Sequence, residues 1–296
     1  MTQSQLKFDQ PPKRIGLVAG WGDFPIRVAT SLKQQGHKVI CLGIRDHASP
    51  NLASICDEFQ FFGIGKMGAQ VRFLKNAGVT QATMAGKIFK HLLFRRFHVL
   101  RHLPDLLTLR YFYSALVAGT NDCRDDSLLT TVTRLYSSQG IDFVPATDFA
   151  PQLLASSGNL TSTKPSPAQL RDIAYGWKIA KEMGRHDIGQ SVVVRNQTVI
   201  AVEAIEGTDE CIRRAGQLCQ SGFVVVKVAK PQQDLRFDVP TIGQGTIQTI
   251  HQAGGKVLTI EADKTIILDE SATLQLADRL GICIASFRDQ ELNLTD

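Results

Sequence analysis

The sequence contains no C-x-x-C pair. Its six cysteines (Cys41, Cys56, Cys123, Cys211, Cys219, Cys283) are scattered, which argues against a zinc site and a redox dithiol and reads as small buried apolar side chains. No stretch approaches the ~20 apolar residues that a membrane helix needs, and the chain opens Met-Thr-Gln-Ser-Gln without an apolar secretory core. A cytoplasmic location is expected. No Gly-Lys-Ser/Thr closes a glycine loop, so there is no Walker A sequence, and the histidines lack the H-E-x-x-H spacing of a metal helix. Neither sign of charge is in large excess: the net charge is only +5. That balance suits acidic small molecules or an anionic membrane face, whereas duplex nucleic acid calls for a denser basic stripe and is not an expected partner.

With 43% hydrophobic residues over 296 positions the chain can offset its conformational entropy, and disorder of the whole is excluded. That length sits near the ceiling for one core, which favours two domains. Residues 14–43 read as strand, glycine turn, amphipathic helix closed by Gly36, and second strand. The pattern repeats with a strand at 59–63, a helix at 67–76 closed by Gly78, and a strand at 81–85. A doubly wound parallel sheet is the natural assembly. Residues 87–116 are helical by composition, and Pro104 should divide them. A helix at 124–138 and a strand at 141–144 follow.

The turn-rich segment 151–167 marks the expected linker between a Rossmann-like N-terminal domain (1–150) and a distinct α/β C-terminal catalytic domain with a mixed sheet (168–296). There a helix at 170–183 precedes a hairpin of strands 191–194 and 199–205. Next come a helix from 209 to 219, a strand at 223–229, a helix after Gly243-Gln-Gly245, strands at 257–260 and 266–268, a helix at 272–280 and a strand at 282–286.

Five places could carry chemistry. In the first turn, Gly20-Trp-Gly22-Asp23-Phe-Pro25, the glycines permit close backbone approach and a helix N-terminus follows, an arrangement that suits a diphosphate. Gly20, Gly22 and Asp23, with Lys87 beyond the fourth strand, are the substrate-binding candidates of this half. Pro25 stands where a dinucleotide fingerprint has its third glycine, and Asp46 lies near the distance of a ribose acid. A water-filled turn with no anion explains the glycines as well. In the second half, a strand carries Lys227 inside an apolar run and leads into a loop holding Lys230, Asp234, Arg236 and Asp238. Glu203 is a second charge embedded in a β run. Buried charge must find a partner or shift its pKa, so these groups read either as a structural Glu203–Lys227 pair or as the rim of an active site. Glu206-Gly207-Thr208 opens a helix with Thr208 as its expected N-cap, and Gly243-Gln-Gly245-Thr246 opens another, both able to present N–H groups to phosphate. Acids for a divalent cation, cationic side chains and glycine turns are the parts of phosphoanhydride hydrolysis. Finally, the segment around Arg95, Arg96 and Arg101, interleaved with Phe and Leu, is either a buried helix with a solvated rim or one that lies against anionic lipid.

The opening Ile-Gly-Leu-Val-Ala-Gly-x-Gly-x-x-Pro, the run Val-Glu203-Ala-Ile-Glu206-Gly-Thr-Asp209 and the run Val-Lys227-Val-Ala-Lys230-Pro-x-Gln-Asp234-x-Arg236-Phe-Asp238-x-Pro240 together resemble the LpxI-type UDP-2,3-diacylglucosamine pyrophosphatases of lipid A biosynthesis. The resemblance spans nearly the whole chain after the first dozen residues. It implies Mg²⁺-dependent hydrolysis of the diphosphate at the phosphorus on the sugar side, giving UMP and diacylglucosamine 1-phosphate, with the lipid product held between two domains. It places the essential aspartate at Asp238, with Asp234 as a second metal ligand or helper, and Arg236, Lys227 and Lys230 as phosphate clamps. Peripheral contact with the cytoplasmic face of the inner membrane, made by the basic segment, is a further expectation. A homodimer is compatible with all of this. A nicotinamide-dependent oxidoreductase using the first glycine turn and Asp46, and a non-catalytic nucleotide-sugar sensor, are the competing readings.

Overall fold

The computed structural model describes residues 13–88, 102–117, 125–236 and 239–292. They form two compact units, one built from residues up to Ala150 and the other from Pro151 onward, except that Leu235 and Arg236 group with the first.

The first unit runs β1 (Arg14–Ala19), α1 (Phe24–Gln34), β2 (Lys38–Ile44), β3 (Glu58–Phe62), α2 (Met67–Asn76), β4 (Gln81–Ala85), α3 (Leu106–Val117), α4 (Asp125–Ser137), β5 (Asp142–Phe143) and α5 (Ala146–Phe149). The strands lie in the order β3-β2-β1-β4-β5 and every pair is parallel. Continuous apolar strands such as Val39–Ile44 are buried throughout, as a sheet covered on both faces requires. Gly36 and Gly78 end α1 and α2 in the left-handed conformation, at φ 79° and 74°. The strand order reverses between β1 and β4, the switch point at whose carboxyl ends such sheets bind ligands. Pro104 does bound a helix: α3 starts two residues later, at Leu106. The basic residues Lys90, Arg95, Arg96 and Arg101 lie outside the described residues.

The second unit contains β6 (Gly158–Asn159), α6 (Pro167–Arg185), β7 (Ser191–Arg195), β8 (Thr198–Val202), α7 (Thr208–Cys219), β9 (Val224–Lys227), β10 (Thr241–Ile242), α8 (Gln244–Gln252), β11 (Val257–Glu261), β12 (Ile266–Ile267), α9 (Glu270–Arg279) and β13 (Cys283–Phe287). The segment 151–167, read from the sequence as a linker, carries β6 and its antiparallel pairing with β13. Ser166 and Gln169 close a capping box there at the start of α6. The main sheet is mixed, in the order β6-β13-β11-β9-β7-β8. Its centre, β13-β11-β9, is parallel, and β7 turns the direction over. The hairpin β7–β8 turns through Asn196 and Gln197, both at positive φ (50° and 56°), the primed turn that matches strand twist. Val225, Leu258, Ile260 and Ile284 pack beneath α7, α8 and α9, while Val224, Val226, Val257 and Ala285 face α6.

Candidate active site

β9 ends at Lys227, two residues earlier than its apolar run suggests, and the chain leaves the sheet there. Its register with Ile260 puts the Lys227 side chain on the α7 face. Lys227 is only 6% exposed, and its ammonium donates to Thr208 Oγ1 at 3.0 Å. The Thr208 hydroxyl in turn donates to Glu203 Oε1 at 3.0 Å. The expected Glu203–Lys227 association is therefore relayed through a hydroxyl. Sequence reading made Thr208 an N-cap; the structure corrects this. Gly207, at φ 84°, is the N-cap of α7 and Thr208 is its first residue, so the hydroxyl is released from capping to serve the buried charges. A lysine beside the N-terminus of a twelve-residue helix gathers positive potential at one place, the arrangement that attracts an anion. Glu203, 8% exposed, offsets part of it with one oxygen; its Oε2 has no hydrogen-bond partner among the described residues. Gln190 Oε1 is in the same condition, and the Gln190 carbonyl accepts from Val228, the residue after Lys227. Buried unpaired oxygens are uncommon and cost about 1–3 kcal/mol each.

Other second-unit candidates are placed differently. Glu206 is occupied at the surface, accepting from Arg214 at 2.6 Å and from the Ala204 N–H at 3.1 Å. Hydrogen bonding to its own backbone and to Arg214 holds its carboxyl below the ordinary range. Lys230 pairs with Asp187 at 2.6 Å. Asp234 and Arg236 are half-buried rather than splayed into solvent. Asp238 lies outside the described residues. Among the described residues no three His, Cys, Asp or Glu side chains converge as a metal cluster. α8 begins at Gln244, so Gly243 is its extended N-cap and Gly245 and Thr246 fall inside its first turn. Cys211 and Cys283 are buried, which pushes their thiols up to about 12 and about 11, as expected of inert cysteines.

In the first unit Gly20 serves the protein backbone. Its N–H donates to Ala85 O at 2.8 Å, and Trp21 and Lys87 exchange backbone hydrogen bonds at 2.8 and 3.0 Å. A Cβ on Gly20 would stand 2.7 Å from Lys87 O. The bridge ties together the segments that follow β1 and β4 at the switch point. Gly22 has φ 104° and open space around it, and Asp23 precedes α1 without capping it through its side chain. Asp46, the ribose acid of the oxidoreductase reading, accepts from His102 Nε2 at 3.2 Å, the Nδ1 of that ring accepting from the Ile64 N–H. Near the strand ends lies a cavity of about 460 Å³ lined by Val18, Ile44, Met84, Met67, Leu109, Phe112 and Val132. Its polar neighbours are spent internally: Tyr136 donates to Gln70, Gln70 to Gly63 O at 2.8 Å, and Thr108 to Gly65 O at 2.8 Å. Such a lining favours hydrocarbon over a charged group.

Residues 14–153 match the model of the LpxI N-terminal domain and residues 156–285 that of the LpxI C-terminal domain. The UDP-2,3-diacylglucosamine pyrophosphatase LpxI of Caulobacter vibrioides is 31% identical over 289 residues, covering 94% of this chain and 99% of that protein. The chain belongs to the LpxI family.

Against this LpxI framework, sequence reading missed several parts. The apolar cavity draws its lining from six separate stretches of chain, which no local pattern announces. Asp187, the partner of Lys230, sits at positive φ in the turn after α6. Asp105 follows Pro104 directly. Its Oδ1 accepts from Thr108 N–H at 3.1 Å and its Oδ2 from Ala69 N–H at 3.1 Å, so it anchors the starts of α3 and α2 together. The Asp-x-x-Thr spacing after Pro104 was the available signal.

Proposed function

We propose that the Lys227–Thr208 corner of the second unit receives the diphosphate of the substrate, and that Asp238 and Asp234 act on it. The chain is an LpxI-type UDP-2,3-diacylglucosamine pyrophosphatase, a hydrolase of lipid A biosynthesis. The observation that carries the site assignment is the buried ammonium of Lys227, held by Thr208 at the N-terminus of α7 beside an unpaired Glu203 oxygen. In the reaction, a water oxygen bonds to the phosphorus on the sugar side, the bridging P–O bond breaks, and the bridging oxygen leaves with UMP. The other product is 2,3-diacylglucosamine 1-phosphate. Lys227 and Arg236 offset the charge that develops on the leaving phosphate, Lys230 steadies the loop and the diphosphate, and Asp238 takes up the proton of the attacking water. Gly207, Gly243 and Thr246 offer helix N-termini to the nucleotide phosphates.

Mg²⁺ is the cofactor we assign. Two carboxylates, Asp234 and Asp238, completed by substrate phosphate oxygens and water, are a donor set suited to this hard cation, which seldom has an all-protein cage. Bound there, it would polarise the phosphoryl oxygens. The apolar cavity of the first unit supports a diacyl substrate, since its volume of about 460 Å³ lies within the range of small-molecule sites. No described helix is long and apolar enough to cross a membrane. We assign the basic segment with Arg95, Arg96 and Arg101 to transient contact with anionic lipid. Liposome co-sedimentation checks this, and unchanged binding after neutralising the three arginines would overturn it.

The deciding experiment incubates the purified protein with UDP-2,3-diacylglucosamine and Mg²⁺ and analyses the phosphate products. UMP and the diacyl sugar phosphate should appear, and Asp238→Ala should abolish both while retaining its circular dichroism and melting temperature. An active Asp238→Ala protein would remove Asp238 from the chemistry.

A further inference from the structure

A buried ion pair on the opposite face of the sheet from Lys227 holds the same loop. Glu261 closes β11, one residue past Ile260, the register partner of Lys227. Its side chain is 2% exposed and faces α6. Lys181 of α6 donates to both carboxylate oxygens, at 2.8 and 2.7 Å, and Lys264 reaches Oε1 at 2.8 Å. The pair also holds the backbone of Ala229, two residues past Lys227. Glu261 Oε2 accepts from Ala229 N–H at 2.8 Å, and Lys181 Nζ donates to Ala229 O at 3.3 Å. One residue of the loop is thus gripped by its N–H and its C=O together.

The pair is itself fixed from behind. Asp289 Oδ2 lies 3.4 Å from Lys181 Nζ, and Trp177 Nε1 donates to Asp289 Oδ1 at 2.6 Å. The end of α6 extends the grip along the loop: Gln232 Nε2 donates to Gly184 O at 2.6 Å, and Pro231 packs on Gly184. The surroundings are otherwise apolar, with Val226, Val228, Val257 and Trp177 in one cluster. Two apolar side chains of the same volume would fill this space, and buried ion pairs replaced in that way generally leave stability unchanged or raised. An apolar pair cannot hold a peptide at a set position.

We infer that Lys181 and Glu261 are positioning residues for hydrolysis: they fix the Ala229 peptide and thereby the setting of Lys227 before it and of Asp234 and Arg236 after it. This rests on the reading of that loop as the catalytic one. Displacing a reacting group by about 1 Å costs on the order of a hundredfold in rate, so a loosened grip should appear in turnover rather than in substrate affinity.

The test is the double variant Lys181→Met/Glu261→Leu, which removes both charges and keeps the packing volume, with Glu261→Gln as a second protein should the double variant not fold. In folded protein we expect kcat to fall at least tenfold and KM to move less than threefold, with faster exchange of the Ala229 amide hydrogen. A smaller fall in kcat, or a loss carried by KM, overturns the inference. Asp238→Ala measured alongside separates the two claims. If that variant is inactive while the double variant turns over normally, the loop reading stands and the positioning role falls. If Asp238→Ala is active, the loop reading itself has failed.

Discussion

Lys227 and Glu203 meet through the hydroxyl of Thr208, which accepts from the first at 3.0 Å and donates to the second at 3.0 Å. Both side chains are almost wholly removed from water, and the hydroxyl gives each of them a hydrogen-bond partner there. Thr208→Val keeps the shape and deletes the relay. It should cost about 1–3 kcal/mol in urea unfolding, because two buried charges each lose a partner. Turnover should fall with it, and Thr208→Ser should restore both. Wild-type stability and kcat in Thr208→Val would show the hydroxyl to be idle.

The glycines of the first turn separate by cause. Gly20→Ala drives a Cβ to 2.7 Å from a backbone oxygen that cannot give way, so the β1–β4 bridge must shift. A loss of about 1–3 kcal/mol is expected. Gly22→Ala meets open space and suffers only its positive φ of 104°, roughly 1 kcal/mol. Paired denaturation curves rank them, and equal losses would mean that the bridge is not what Gly20 serves.

Filling the apolar cavity should tell acyl recognition from phosphate chemistry. Val132→Phe adds a ring to the lining of a void of about 460 Å³. KM for the diacyl substrate should rise about tenfold or more, with the melting temperature held or raised, since added apolar contact inside a cavity is stabilising. An unaltered KM, measured by UMP release, would place the acyl chains elsewhere.

Asp105 makes a pH-dependent contribution to the first unit. Burial pushes its carboxyl up, but hydrogen bonds from Thr108 N–H and hydroxyl and from Ala69 and Gly68 N–H outweigh that and leave it below its ordinary value of 3.8. A depressed folded-state pKa means that the contribution is full above pH 3.8 and is lost as pH falls through the lower folded value. Asp105→Asn should therefore be less stable than wild type at pH 7, and the gap should narrow below pH 3.8. A gap that stays constant between pH 7 and pH 3 would assign the effect to shape alone.

How much of this could be read in advance depended on the range of the forces involved. Apolar periodicity and terminal glycines specified α2 (Met67–Asn76) and β4 (Gln81–Ala85) to the residue, because both are local properties of the chain. The parallel first sheet and the mixed second one followed from the alternation of those elements, and the lysine set inside an apolar run marked Lys227 as a buried charged side chain. Tertiary structure decided the rest. Whether Gly20 faces a ligand or the Lys87 carbonyl, whether Thr208 caps a helix or relays between buried charges, and whether Glu261 holds the Ala229 peptide all depend on residues far away in the chain. A hydrogen bond is specified by two partners and the distance between them, and a sequence names the partners without bringing them together.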